Sequence, residues 1–293
     1  MKLIKRVTTV FLAVITAVAA VVPCFAEQKD PRLYMLGDTN LDGKVTLTDA
    51  RKALRVAAKL EKTDLPITAF DADGNGKIGP SDARIILRYV AKLQKFDYGF
   101  DKDGKPNAIA AFKTASYSLS AQMAVDGEAP MDVTIAINGN DIFMDLGELM
   151  EGTKITGLLM TGGDAYAVGT LASGKKTLLF IPKESLSELG SNDELFELSK
   201  MLTDYFANDF NDISSITLSD GSSGYRYAYY DESGYTGYTV TQTGKLLSVE
   251  SGSVSYKNGV PTVTSITSSI VFTAFSANVD KSYFDINNYF IIG

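Results

Sequence analysis

The chain has 293 residues, with 28 basic and 35 acidic side chains, a net charge of −7 and 45% hydrophobic residues. Such a length suits two domains and the apolar share suffices for real cores, while the acidity disfavours nucleic acid and anionic membrane as partners. Histidine and tryptophan are absent and the only cysteine is Cys24, so a Ser-His-Asp triad and His-ligated zinc are excluded, and catalysis would fall to carboxylates, Lys, Tyr or Ser.

Residues 1–26 read as a secretory signal. Lys2, Lys5 and Arg6 form its basic start, Val7 to Val22 its apolar run, and "CFA" before Glu27 its cleavage site. The run is shorter than the ~20 residues a spanning helix needs. Cleavage after Ala26 would remove Cys24 and those three basic residues, leaving 25 basic against 35 acidic, or −10. We expect a secreted protein with no disulfide and no membrane association after cleavage.

An internal repeat comes next. Setting Asp38 over Asp71 aligns "DTNLDGKVTLTDARKALRVAAKLEK" with "DADGNGKIGPSDARIILRYVAKLQK", 33 residues apart. Each copy carries the calcium-loop spacing at positions one, three, five and twelve. These are Asp38, Asn40, Asp42 and Asp49 in the first loop, and Asp71, Asp73, Asn75 and Asp82 in the second. Alternate side chains on a wrapped loop supply the six to eight oxygens calcium takes, at ~2.3–2.6 Å, and the position-seven carbonyls of Lys44 and Lys77 add one each. Gly43 and Gly76 stand where the chain must turn sharply. Three carboxylates crowded in one loop repel one another unless a cation joins them, so we expect two calcium ions, one per loop.

A helix should follow each loop. Ala50, Ala53, Leu54, Ala57 and Leu60 recur at helical spacing, as do Ala83, Ile86, Leu87, Val90 and Leu93. Pro31 and Pro66 leave no room for a long helix before either loop. Each unit is therefore loop-helix, without the entering helix of an EF-hand and with Asp rather than Glu at position twelve.

Over residues 34–97 this duplicated loop-helix closely resembles the type I dockerin family. The resemblance implies a calcium-dependent plug that binds a cohesin module on the scaffolding protein of a cellulosome-type complex. It also implies a partner surface: Leu47, Thr48, Leu54, Arg55 and Lys59 in the first repeat, and Pro80, Ser81, Leu87, Arg88 and Lys92 in the second. Some dockerins bind in two orientations related by a half-turn. Here the Leu-Arg-Lys trio is shared, but Leu47-Thr48 and Pro80-Ser81 differ, which breaks that symmetry in part. A solvated helix face is the other reading of Arg55 and Arg88.

Residues 98–107 contain the turn-rich "DKDGKP" and read as a linker. From about Ala108 the pattern turns to alternation. "ASYSLSAQMAV", "MDVTIAING", "DIFMDLG", "KITGLLMTGG", "DAYAVGTL" and "KTLLFIP" read as strands, then "SNDELFELSKMLTDYFA" as a helix capped by Ser191 with Glu194. "SGYRYAYYD", "GYTGYTVTQ", "KLLSVESG" and "VTSITSSIVFTAFS" resume the strands. The expected fold is α+β and multidomain: a small all-α calcium-loop domain followed by an antiparallel sheet with a packed helix over 108–293.

Tyr225, Tyr227 and Tyr229 alternate and so share one face, with Tyr235 and Tyr238 in the next strand. A half-buried sheet face is favoured over a sugar platform. A glycosidase needs two carboxyls about 5–9.5 Å apart, and spacing alone picks no pair among Asp141, Asp145, Asp231 and Glu232. The order of elements and the ending "FSANVDKSYFDINNYF" look like the half-barrels of lipoprotein carriers, which would imply an apolar ligand. The favoured function is docking of a non-catalytic β-rich module to a cohesin, in a cell-surface or released polysaccharide-degrading complex. A carboxylate-based glycoside hydrolase, with a glycan as ligand, and an apolar-ligand carrier are the alternatives.

Overall fold

Small residues at the repeat's helical positions decide how its two helices meet. In the computed structural model, which describes residues 30–114, 116–125, 129–147, 155–171, 173–182, 210–232 and 234–292, α1 spans Leu47–Ala57 and α2 spans Pro80–Val90. Ala50, Ala53, Ala83 and Ile86 are buried between them, with Leu36, Phe70 and Phe96 closing the core. Alanine lets the helix axes approach closely, and that approach pushes the longer side chains of the same stripe outward. Leu54 and Leu87 accordingly stand 49% and 46% exposed, and Leu60 and Leu93, past the helix ends, 71% and 68%, where the periodicity alone places all four inward. Among the described residues only short 3-10 turns, Pro31–Leu33 and Ile67–Ala69, precede the loops.

Both helices stop in the same way. The amides of Lys59 and Leu60 return to the carbonyls of Val56 and Arg55, and those of Lys92 and Leu93 to Tyr89 and Arg88. This is a Schellman cap whose left-handed position usually takes glycine. Lysine fills it twice here, at φ 59° and 58°. Lys59 and Lys92 therefore sit just past the helix ends rather than on the helices.

The rest of the chain builds one sheet. Its strands are β1 (Ser116–Val125), β2 (Met131–Asn138), β3 (Asp141–Asp145), β4 (Ile155–Thr161), β5 (Asp164–Thr170), β6 (Lys176–Ile181), β7 (Asp212–Thr217), β8 (Ser223–Tyr230), β9 (Tyr235–Thr241), β10 (Leu246–Lys257), β11 (Val260–Ser276) and β12 (Phe290–Ile292). Among the described residues they lie in the order β12-β6-β5-β4-β3-β2-β1-β11-β10-β9-β8-β7. All neighbours are antiparallel except β12 and β6. The α+β class stands.

Alternation sorts the two faces. One face carries Tyr117, Leu119, Val133, Ile135, Tyr225, Tyr227 and Tyr238, and a short helix α3 (Asn107–Phe112) packs into its core through Ala108, Ile109 and Phe112. On the opposite face the segment 279–289 covers Ala136, Phe143, Leu159 and Val168 with Val279, Tyr283 and Phe284. The expected helix at Ser191 and the expected signal lie outside the described residues. Among the described residues no helix is long and apolar enough to cross a membrane.

Residues 98–107, expected as a linker, are packed on both sides. The Phe100 carbonyl accepts from the Leu36 amide at 3.0 Å, and the Gly99 amide donates to the Thr243 carbonyl at 2.9 Å. Phe100 itself is fully buried in the core of the sheet. The Tyr227 hydroxyl donates to the Gly104 carbonyl at 2.7 Å. The turn at Gly244, φ +76°, comes so close that an added Cβ would lie 2.5 Å from the Gly99 oxygen, a contact only glycine allows. Just upstream, the Asp97 carboxylate accepts from the Ala277 amide at 2.6 Å and from the Asn278 side-chain amide at 3.2 Å. Pro31–Gly293 thus make a single compact unit.

Candidate calcium loops and docking face

The two loops fold by the same local bonds. At position one, Asp38 accepts from the amides of Asp42 (3.1 Å) and Gly43 (2.8 Å), and Asp71 accepts from those of Asn75 (3.0 Å) and Gly76 (2.9 Å). At position five, Asp42 accepts from the Lys44 amide at 3.0 Å and Asn75 from the Lys77 amide at 2.9 Å. Position twelve ties the loop to its helix. One oxygen of Asp49 accepts from the amides of Thr39 and Asn40, and one of Asp82 from those of Ala72 and Asp73, all at 2.8–3.2 Å. Their second oxygens accept from Thr46 N at 2.8 Å and Gly79 N at 2.7 Å, the residues that open α1 and α2. An aspartate in the first turn also suits the positive end of the helix. Its short side chain reaches both the loop and the helix start.

The second loop brings its carboxylates together. Oxygens of Asp71, Asp73 and Asp82 all lie within 4.8 Å of one another. Oxygens on opposite sides of one calcium ion stand about 5 Å apart, from bond lengths of ~2.3–2.6 Å. The spacing and the all-oxygen donor set therefore fit calcium and do not fit a thiolate or imidazole metal site. Burial, then the neighbouring Asp82 and Asp73 charges, push the Asp71 carboxyl up; burial, then the Asp73 charge, does the same to Asp82. Backbone amides oppose both shifts. In the first loop Asn40 replaces the aspartate at position three, and its side-chain amide donates to Asp42 at 2.9 Å.

Four of the ten expected partner residues meet in one groove, while Lys92 lines a cleft toward the sheet. Leu47, Leu54, Pro80 and Leu87, with Arg51 and Arg84, line a groove of about 400 Å³ between the helices. Leu47 is the most open of the three leucines, at 63%. Thr48 is exposed in the first turn of α1, and Ser81 is half-buried in that of α2. The arginines bend back to residues that sequence reasoning missed. Arg55 Nε pairs with Glu61 Oε2 at 3.0 Å, and Arg88 Nε donates to Gln94 Oε1 at 2.9 Å. The 33-residue offset relates Glu61 to Gln94 and was the signal available. An exposed pair such as Arg55–Glu61 contributes about 0–1 kcal/mol. Its significance is that the first arginine is charge-paired and the second is not.

The carboxylates considered for catalysis hold local structure. Asp231 accepts from the Gly234 amide at 2.8 Å in a turn, Asp145 pairs with Lys176 at 3.6 Å, and Asp141 accepts from the Gly162 amide at 3.4 Å. Of the tyrosines, Tyr227 and Tyr238 are fully buried cross-strand partners, so their face belongs to the core.

Comparison with known proteins agrees with the loop geometry. Residues 36–91 match the family described as Dockerin type I domain. No curated protein matches the chain. Among solved structures, the one titled "Crystal structure of MucB in complex with MucA(peri)" aligns at 12% identity and a TM-score of 0.28. The alignment covers 64% of this chain and 59% of that one, so less than two thirds of the other chain's length is spanned. Residues 36–91 are accordingly a type I dockerin domain, the class of calcium-binding module whose partner is a cohesin.

Proposed function

We propose that this is a secreted protein that binds two calcium ions, docks to a cohesin through the groove between α1 and α2, and carries its β-rich module into a polysaccharide-degrading complex as non-catalytic cargo. One observation carries the reading. The dockerin segment leaves Leu47, Leu54 and Leu87 exposed around a single apolar groove, whereas a free-standing helix pair would gain about 1.5–3 kcal/mol by burying each leucine. Calcium, when bound, supplies the positive charge that holds the loop carboxylates together. The chain's own residues do the rest: Asp49 and Asp82 fasten each loop to its helix, and the helices present the leucines. Asp38, Asn40, Asp42, the Lys44 carbonyl and Asp49 would hold one ion, and Asp71, Asp73, Asn75, the Lys77 carbonyl and Asp82 the other.

The test is binding of the full mature chain to a cognate cohesin by titration calorimetry, with calcium and with excess chelator. Tight binding that disappears on chelation is expected. Calcium-independent binding, or no binding in calcium, would sink the reading. Reducing-sugar assays on the same preparation test the cargo: sustained release from any plant polysaccharide would establish a hydrolase instead.

A further inference from the structure

Where α2 ends, a cleft of about 680 Å³ opens between the dockerin and the sheet. Among the described residues its lining includes Lys92, Lys95 and Lys281 and no Asp or Glu. In a chain of net charge −7 such a lining is a local reversal of sign. Among the described residues, none of the three lysines pairs with a carboxylate; Lys95 donates to the Thr114 hydroxyl at 2.9 Å. Burial pushes the Lys95 ammonium's pKa down, as expected for a cation facing low-dielectric walls without a counter-ion.

The cleft is also rigidly built. Asn278 grips the Lys95 backbone from both sides, accepting from its amide at 2.7 Å and donating to its carbonyl at 3.0 Å. Tyr89, on the dockerin wall, is held parallel to Phe96 at 4.1 Å between ring centroids. Asn138 adds a side-chain amide on the sheet side. Three lysines and an aromatic-aliphatic wall line a site of ordinary ligand size. Among the described residues the lining contains no arginine, so they offer no bidentate fork of the kind that grips a compact phosphate. Lysines contributed by three separate places in the chain, in a cleft open to solvent, suit a ligand with more than one negative group and hydroxyls beside them.

We propose that this cleft binds an acidic oligosaccharide, its carboxylates meeting Lys92, Lys95 and Lys281 and its hydroxyls meeting Asn138 on the sheet side. The cleft shares Lys92 with the expected docking surface, but the test turns on Lys95 and Lys281, which lie outside that surface, so its failure would leave the docking reading intact. The test uses the full mature chain, calcium-loaded and freed of excess calcium, titrated with trigalacturonate, with its neutral methyl ester and with inorganic phosphate. Trigalacturonate should bind, weaken as salt screens the lysines, and exceed its ester by about tenfold or more, the equivalent of one lost ionic contact of ~1.4 kcal/mol. Lys95→Gln with Lys281→Gln should reduce affinity by about tenfold or more while leaving the melting temperature in place. Should the double variant melt early, Lys281→Gln alone, at an exposed position, must still show a measurable loss. Equal binding of acid and ester, displacement of the trimer by an equal concentration of phosphate, wild-type affinity in the variants, or no binding at millimolar trimer would each overturn the proposal.

Discussion

Gly74 lies so close to the ring of Tyr98 that a Cβ at position 74 would come 2.9 Å from the ring carbons. The second calcium loop is thereby backed by the junction that leads into the sheet. Leu41 holds the equivalent place in the first repeat, also at positive φ (61° against 71°), but 54% exposed. Gly74→Ala should destabilise the calcium-loaded protein by about 1–3 kcal/mol, combining left-handed strain with the ring contact. Leu41→Gly should change stability by less than about 1 kcal/mol, because relief of strain is offset by chain entropy. Denaturant unfolding of both variants checks this, and similar small effects would show that the Tyr98 contact is slack.

Calcium stoichiometry should follow the position-twelve aspartates. Calorimetry on the full mature chain should give two sites, and Asp49→Asn or Asp82→Asn should each leave one. At a hundredfold excess over Kd a lost site costs about 2.7 kcal/mol of ligand-linked stability. Excess chelator should therefore lower the melting temperature of the wild type more than that of either variant. A chelator-insensitive wild type would contradict the linkage.

Docking should depend first on the leucines. Leu54→Asp and Leu87→Asp should each weaken cohesin binding by roughly 2 kcal/mol or more if they are central anchors. Reversing Arg55 and Lys59 to Glu, or Arg88 and Lys92 to Glu, should cost about 1–3 kcal/mol where the charges are buried on binding and much less at a rim. If the two repeats are interchangeable, either reversal alone should be tolerated and only the fourfold change should abolish binding. A large difference between the two reversals would assign one orientation, and wild-type affinity in the fourfold variant would make these faces merely solvated.

Asp97 gives the junction a pH signature. Burial raises its carboxyl above the ordinary 3.8, against the opposing pull of the Ala277 amide and the Ser276 and Asn278 side chains. The folded state thus binds this proton more tightly than the unfolded chain. Its contribution to stability is greatest below pH 3.8 and declines as pH rises through the raised folded value. The melting-temperature difference between wild type and Asp97→Asn should consequently shift against the wild type as pH climbs from about 3.5 to 6. A pH-independent difference would mean that the hydrogen bonds fully offset the burial.

Much of this was visible in residue order, for reasons that differ by element. Loop spacing is a direct image of ligand geometry, so the oxygens of Asp71, Asp73 and Asp82 could be placed together without coordinates. The bent-back arginines could not, because Arg55–Glu61 depends on a Schellman cap that lysine seldom occupies. In the sheet, β7 escaped notice because "DISSIT" is too serine-rich to look like a strand, and α3 because six residues span too few turns to show a period. The β10–β11 hairpin was expected to break at Gly252 and restart at Val263. It continues to Lys257 and resumes at Val260, since register shifts at Ser251/Gly252 and Ser253/Val254 absorb the glycine and Pro261 still pairs with Tyr256. Phe100 is the instructive case: turn-forming neighbours disguised a residue whose partners lie far away in sequence, in the sheet.

The packed stretch 98–107 also determines how the sheet is held against the dockerin. Ten free residues of that composition would give a wandering radius of roughly 17 Å, from about 5–6 Å times the square root of the length. Phe100, Gly99 and the Asp97 carboxylate remove that reach. If the dockerin docks as proposed, the heading of the sheet is set with it, as a vane on a shaft, and any sweep has to come from joints in the partner rather than from residues 98–107.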